Sequence, residues 1–526
     1  MFTRDIIKSV SIIIFILFCF LVFSPLIAVF KESFIKEGKI SFSIYQEILT
    51  DLRLRQIFFR TLRIGFFTAL TTLFLGFPFA WFLERIKIPF KNFFSLFSLF
   101  PLLLPPYILG FTFLFELQLR GLVRNLGINL NLYNLGGIVF ILSLCYFPFV
   151  ILFLSAGLKS FNRGIEEAGN LIASPLKSFL KITFPLLLPY ILLSFSFVFI
   201  LTFSEYVVSE LLRVHNYTFE LYYQFSAFHN FAKATALSFP LLLFTLPLIL
   251  WVEKIMQERP YIGLGGNFKP YFSPRKNFFK IPGFIFATGL VSVAVIFPLF
   301  VLIKGTGSFK NLFFVLSANI QEMVLSIFLA LLGAFFCSLV SLFLGYLLEN
   351  TRGIYRRCIN ILTLIPLAIP GPIVGLGLVR WLNRPQTALA YSTFLPLLLA
   401  YLIRFSCFGI RIISTALKTY GKELWESALI FPVSGLKRFF KINFPLLHPF
   451  ITITFIISLL FCLTELSATL FLIPPGEMTF LIKIESFFHH GDMESIFAMC
   501  LWQVLITLIP ISLLLPFTHR KFSYAA

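Results

Sequence analysis

The chain has 526 residues, 58% of them hydrophobic, with 73 Phe and only 13% charged. Soluble domains are about half apolar and about a quarter charged, so a water-soluble globular fold is excluded. The net charge of +20 does not point to nucleic acid, because the basic residues are scattered through short connections between apolar runs, the pattern of the positive-inside rule.

About 20 apolar residues cross a hydrocarbon core as helix, and a bilayer leaves no water for open backbone groups, so each long apolar run reads as a helical span. The first, 9–30, follows Arg4 and Lys8; it exceeds a signal-peptide core and lacks a small-x-small cleavage pattern, so it reads as a retained span. Further runs at 60–83, 93–116, 136–158, 184–206 and 237–252 complete a first half, 1–252. The Gly-, Pro- and basic-rich stretch 253–281 reads as a solvated linker. The second half, 282–526, has runs at 282–304, 323–348, 359–382, 387–412, 446–473 and 494–517. The expected fold is an all-α integral membrane protein of about 12 transmembrane helices in two homologous six-helix halves.

Charge sets the expected orientation. With the N-terminus inside, the inner connections carry Arg85, Lys87 and Lys91, then Lys159, Arg163, Lys177 and Lys181, then the basic linker. The second half repeats this with Arg352, Arg356 and Arg357, then Lys418, Lys422, Lys437, Arg438 and Lys441, and Arg520 and Lys521 follow the last run. The exception is 31–57, with five basic and four acidic residues. Both termini are therefore expected to be cytoplasmic.

The halves repeat one another. A shift of 260 carries Glu166 onto Glu426, Ala168 onto Ala428, Ser174 onto Ser434, Lys177 onto Lys437 and Pro185 onto Pro445. A shift of 265 carries Glu84 onto Glu349, Pro101 onto Pro366, Pro105 onto Pro370 and Gly110 onto Gly375. An even number of spans per half gives both copies the same orientation, so an axis along the membrane normal is expected to relate them.

Residues 159–181 are too polar to span. "GIEEAGNL" favours helix, with Glu166 and Glu167 in its first turns where the dipole suits negative charge, "ASP" breaks it, and a basic amphipathic run leads into "FPLLLP". An ordinary interfacial loop would not explain why the second copy keeps the same charges and prolines at the same spacing.

Both stretches resemble the cytoplasmic signature of binding-protein-dependent ABC importer permeases of type I: Glu-Ala-Ala, then a glycine, then a basic run ending in Ile-x-x-Pro. Glu166, Glu167 and Ala168 match the first copy, Glu426, Ser427 and Ala428 the second, and Ile182 with Pro185 and Ile442 with Pro445 close the motifs. Ile172 and Pro432 stand where the family has glycine, which puts the local turn in question. The resemblance implies that these residues, with Ser174 and Ser434, belong to coupling helices docked on two copies of a separate ABC ATPase subunit. It further implies an extracytoplasmic substrate-binding protein as partner, surrounding lipid, no nucleic acid, and a bacterial inner-membrane location. The chain has no G-x-x-x-x-G-K-[ST], so no cofactor is expected in it, ATP is expected on the partner, and the chain is not expected to be an enzyme.

"PLLLPPYILGFTF", "PLAIPGPIVGLGL", "AYLIRFSCFGIR" and "TELSATLFLIPPGEMTF" look like the fused ferric-iron permeases; similar fused permeases carry thiamine or phosphonates. A twelve-span secondary transporter would fit the helix count, but its G-x-x-x-D-[RK] loop is absent from "LERIKIPFKN". No catalytic acid, base and nucleophile cluster in the sequence, the seven Cys include no C-x-x-C pair, and His489 with His490 reads as a solvated loop pair rather than a metal site.

Glu205 and Glu465, 260 apart, fall near the outer end of the fifth span of each half. Ionisable groups at membrane depth normally face a bundle interior or a cavity. They are candidates for the translocation pathway, as hard-cation ligands or as a gate acting through Arg404; the plainer alternative makes them helix-end charges.

Overall fold

A computed structural model describes residues 2–36, 39–86, 88–119, 131–160, 169, 173–258, 279–419, 441 and 444–519. Apart from a two-residue hairpin, Ile35–Lys36 against Lys39–Ile40, its regular elements are helical. In chain order the principal helices are α1 (Phe2–Phe34), α2 (Leu52–Arg85), α3 (Lys91–Phe97), α4 (Pro106–Leu114), α5 (Leu135–Ser160), α6 (Phe184–Ser204), α7 (Val207–Leu211), α8 (Phe231–Glu258), α9 (Lys280–Val291) and α10 (Phe297–Gly305). The second half continues with α11 (Ile320–Asn350), α12 (Gly353–Ala368), α13 (Gly371–Leu382), α14 (Leu395–Thr419), α15 (Phe444–Thr464), α16 (Thr469–Leu472) and α17 (Met493–His519). Among the described residues ten helical stretches are long and apolar enough to cross a membrane, and two bent helix pairs raise the count to twelve.

The helices bury one stripe and leave apolar side chains on the other. In α2 the buried positions Leu54, Ile57, Thr61, Ile64, Thr68, Thr72, Gly76, Phe79 and Leu83 recur at three- and four-residue steps. Thr61 turns its hydroxyl back to the Ile57 carbonyl at 3.0 Å, so the stripe carries no open donor there. Phe59, Phe66, Phe67 and Phe74 stand exposed on the same helix, Phe74 at 74%, as lipid-facing side chains do. Asp51 starts α2 by accepting from the Arg53 and Leu54 amides at 2.8 and 3.3 Å.

The third spans are not the continuous helices expected at 93–116 and 359–382. The Lys91–Leu103 and Pro106–Leu117 stretches meet at 93°, and α12 and α13 at 100°. Leu104 (φ −93°, ψ 117°) and Ile369 (φ −87°, ψ 115°) are extended, each before a proline that has no amide to donate and that disfavours helix at the residue before it.

The chain packs as two units: residues 45–226 with 240–307, and residues 1–44 and 227–239 with 308–526. These packing units differ from the sequence halves, because each takes in the opening span of the other half. In the first unit α9 lies against the 82–94 region, with Phe284 5.7 Å from Phe94 and Phe286 5.9 Å from Phe82. In the second, α1 lies along α13, with Phe20 edge-on to Trp381 at 5.6 Å. Helix α8 runs on to Glu258, past residue 253.

Candidate functional site

The fifth spans also break, at residues 260 apart. α6 ends at Ser204 and α7 starts at Val207; α15 ends at Thr464 and α16 starts at Thr469. Breaking a helix frees backbone groups that need partners at membrane depth. In the first unit Thr218 donates to the Phe203 carbonyl at 2.7 Å and Asn216 to the Glu205 carbonyl at 2.8 Å. In the second, Gln503 donates to the Leu463 carbonyl at 3.0 Å and Thr469 to the Glu465 carbonyl at 2.9 Å. The same two carbonyls are therefore satisfied in each copy by different side chains, which marks the break itself as the repeated feature.

At each break the glutamate turns forward. Glu205 Oε1 accepts from the Val207 and Val208 amides at 2.9 and 3.2 Å; Glu465 Oε1 accepts from the Ala468 amide and the Ser467 hydroxyl, both at 2.7 Å. Arg404, on α14, forms an ion pair with Glu465 and donates to Ser467 at 3.1 Å. The structure thus brings Arg404 and Glu465 together, and makes Glu205 and Glu465 caps of the short helices that follow them. Glu465 is buried and Glu205 partly so.

The broken fifth span packs on the broken third. A Cβ on Gly110 of α4 would lie 3.0 Å from a Leu211 methyl, and one on Gly375 of α13 would lie 2.8 Å from the Phe471 Cβ. Gly110 and Gly375 correspond in the repeat, as do Leu211 and Phe471, so each unit contains the same crossing of two interrupted helices. Such interruptions are where transporters expose backbone to a pathway.

Of the coupling residues, Ser174 is described: it is exposed, and its carbonyl accepts from the Ser178 amide at 2.9 Å, opening the turn that leads into α6. Glu166, Glu167, Ala168, Glu426, Ser427, Ala428 and Ser434 lie outside the described residues. The His489–His490 pair closes a helix, Phe480–His490, rather than sitting in a loop, with His489 Nε2 3.5 Å from Glu485.

Sequence reasoning missed Glu220, a fully buried carboxylate. It pairs with Arg53 at 2.7 Å, faces His215 Nε2 at 3.3 Å and accepts from Gln224 at 2.8 Å, pinning the Tyr217–Ser226 helix to the start of α2. The shift of 260 that relates the fifth spans sets Phe480 opposite Glu220, so that repeat did not reveal it.

Two helical units, each with an interrupted third span and a fifth span broken at a glutamate, define a polytopic membrane transport protein of the repeat type. The family described as the binding-protein-dependent transport system inner membrane component matches residues 76–259 and again 338–523, and the chain belongs to that family. Both matches begin after the opening span of each half, so α1 and α9 lie outside the matched regions. Among relatives, the ferric transport system permease protein FbpB of Actinobacillus pleuropneumoniae is 24% identical over 501 residues, 89% of this chain and 72% of that protein. The Fe(3+)-transport system permease protein FbpB 2 of Haemophilus influenzae is 23% identical over 509 residues, covering 94% and 96%. A further protein of that organism, provisionally named as the ferric permease FbpB 1, is 23% identical over 514 residues, covering 92% and 80%. The chain is thus similar to fused two-half permeases along nearly its whole length, and it is a transporter membrane subunit rather than an enzyme.

Proposed function

We propose that this chain is the permease subunit of an ATP-driven, binding-protein-dependent importer for ferric iron. The observation that carries the cargo assignment is that relatives aligned over about nine-tenths of the chain bear ferric names. An extracytoplasmic binding protein delivers the substrate, and two copies of a separate ATPase dock on the cytoplasmic segments that hold Glu166, Glu167, Ala168 and Ser174 in one half and Glu426, Ser427, Ala428 and Ser434 in the other. Both termini lie on that cytoplasmic side.

In this reading Glu205, Glu465 and Arg404 border the pathway as a gate. The carboxylate of Glu465 is already shared by Arg404, Ser467 and the Ala468 amide. That commitment favours holding a helix break shut over direct ligation of a passing cation, since a ligand must give up its existing partners to bind another. Opening then consists of releasing α16 from α13, driven by movement transmitted from the ATPase side.

The reading is tested in proteoliposomes containing the chain, its ATPase and its binding protein. ATP-dependent accumulation of radiolabelled ferric iron, not suppressed by excess thiamine or 2-aminoethylphosphonate, is expected. Accumulation of either organic compound in place of iron would reassign the cargo while leaving the importer class intact.

A further inference from the structure

At the end of α2, Glu84 is buried, its side chain only 5% exposed. A carboxylate there is unfavourable twice over: it is desolvated, and it sits at the negative end of a helix dipole. Two cations offset this. Lys91, at the start of α3, reaches Oε2 at 3.3 Å, and Lys159, in the last turn of α5, reaches Oε1 at 3.2 Å. The neighbouring Arg85 adds a hydrogen bond to the Leu158 carbonyl at 2.9 Å, tying α2 to α5 a second time.

The second unit builds the same joint. Glu349, in the last turn of α11, takes Arg356 from the start of α12 at 3.1 Å and Lys418 from the last turn of α14 at 3.5 Å. Ser414, one turn before Lys418, donates to the same carboxylate at 2.7 Å. In both copies the first cation follows its glutamate by seven residues, and the second belongs to the helix whose next residues are the proposed coupling segment.

We infer that Glu84 and Glu349 are positioning residues for energy coupling: each clasps three helix ends at the root of one ATPase-docking segment, so that displacement of the segment is passed to the second and third spans together. This rests on the importer reading above. A tie serving stability alone would not require a carboxylate only 5% exposed at Glu84 and 14% at Glu349, since an apolar contact of similar volume commonly serves as well. Retention of the charged version in both copies, at the one place where force must enter, is what points to transmission. The third span is itself broken, so the clasp connects the docking segment to the crossing of interrupted helices through α3 and α12.

The test uses the complete complex of permease, ATPase and iron-loaded binding protein in proteoliposomes. Glu84→Gln with Glu349→Gln is expected to retain ATPase binding yet raise the ATP hydrolysed per ferric ion accumulated at least tenfold, with Glu84→Asp and Glu349→Asp restoring most of the ratio. If the Gln variant fails to assemble, Lys159→Gln with Lys418→Gln, which leaves each carboxylate one cation, is expected to shift the ratio in the same direction. An unchanged ratio, a proportional fall in hydrolysis and uptake together, or failure of both variants to assemble would overturn the inference. A wild-type complex that assembles but shows no ATP-driven uptake would instead overturn the importer reading beneath it.

Discussion

Glu205 and Glu465 occupy equivalent positions and share a capping role, but their settings differ enough to separate their behaviour. Glu465→Gln keeps an acceptor for the Ala468 amide and removes the negative partner of Arg404, leaving a guanidinium in a largely buried site. Breaking such a pair from one side costs about 3 kcal/mol. Glu205→Gln keeps the acceptor used by Val207 and Val208, and a cap change of that kind costs about 1 kcal/mol or less. Thermal unfolding of the two variants in detergent is expected to show the larger drop for Glu465→Gln, and equal drops would contradict the assignment of Arg404 as its partner. The repeat at 260 residues made both glutamates legible as a pair. Their capping geometry was not legible, because it depends on where the fifth spans break, and neither "LTFSEYVVSE" nor "FCLTELSATL" contains a proline or glycine to announce a break.

At the level of elements, the third spans show the opposite case. "LLLPPYILG" and "LAIPGPIVG" carry the break openly in Pro105, Pro106, Pro370 and Pro372, yet uninterrupted hydropathy reads them as single helices. Pro is tolerated inside many spans here, Pro78 in α2 and Pro148 in α5 among them, so a single proline does not decide. What decides is a proline following an extended residue and opening a new helix. The crossing that results predicts an asymmetry between two equivalent glycines. Gly375→Ala puts a methyl against the Phe471 Cβ, an atom fixed to the backbone, and overpacking of this kind costs about 1–3 kcal/mol. Gly110→Ala meets a Leu211 methyl that can rotate aside, so a cost below about 1 kcal/mol is expected. Chemical denaturation of both variants checks the order, and a larger loss for Gly110→Ala would mean that the two crossings are not equivalent.

For the whole molecule, the composition and the two repeat shifts were enough to read a membrane protein of two six-span halves. The exchange of opening helices between packing units was not readable, because the apolar runs within α1 and α9 carry no charge on any side and do not say which bundle will cover them. The duplication has a functional consequence. If each half carries one docking segment, changing Glu166 and Glu426 together to Lys removes a charge-assisted contact, about 1.5–3 kcal/mol, from each ATPase interface. Stimulation of the ATPase by the permease is then expected to be lost in the double variant, with each single variant intermediate; full stimulation in the double variant would remove these residues from the interface.

Two family regions lie in one chain, so a single permease chain is expected to serve two ATPase subunits. Native mass measurement of the detergent-purified complex tests it directly. One permease chain with two ATPase subunits and one binding protein is the predicted composition; two permease chains, or a single ATPase subunit, in the transport-competent complex would contradict it.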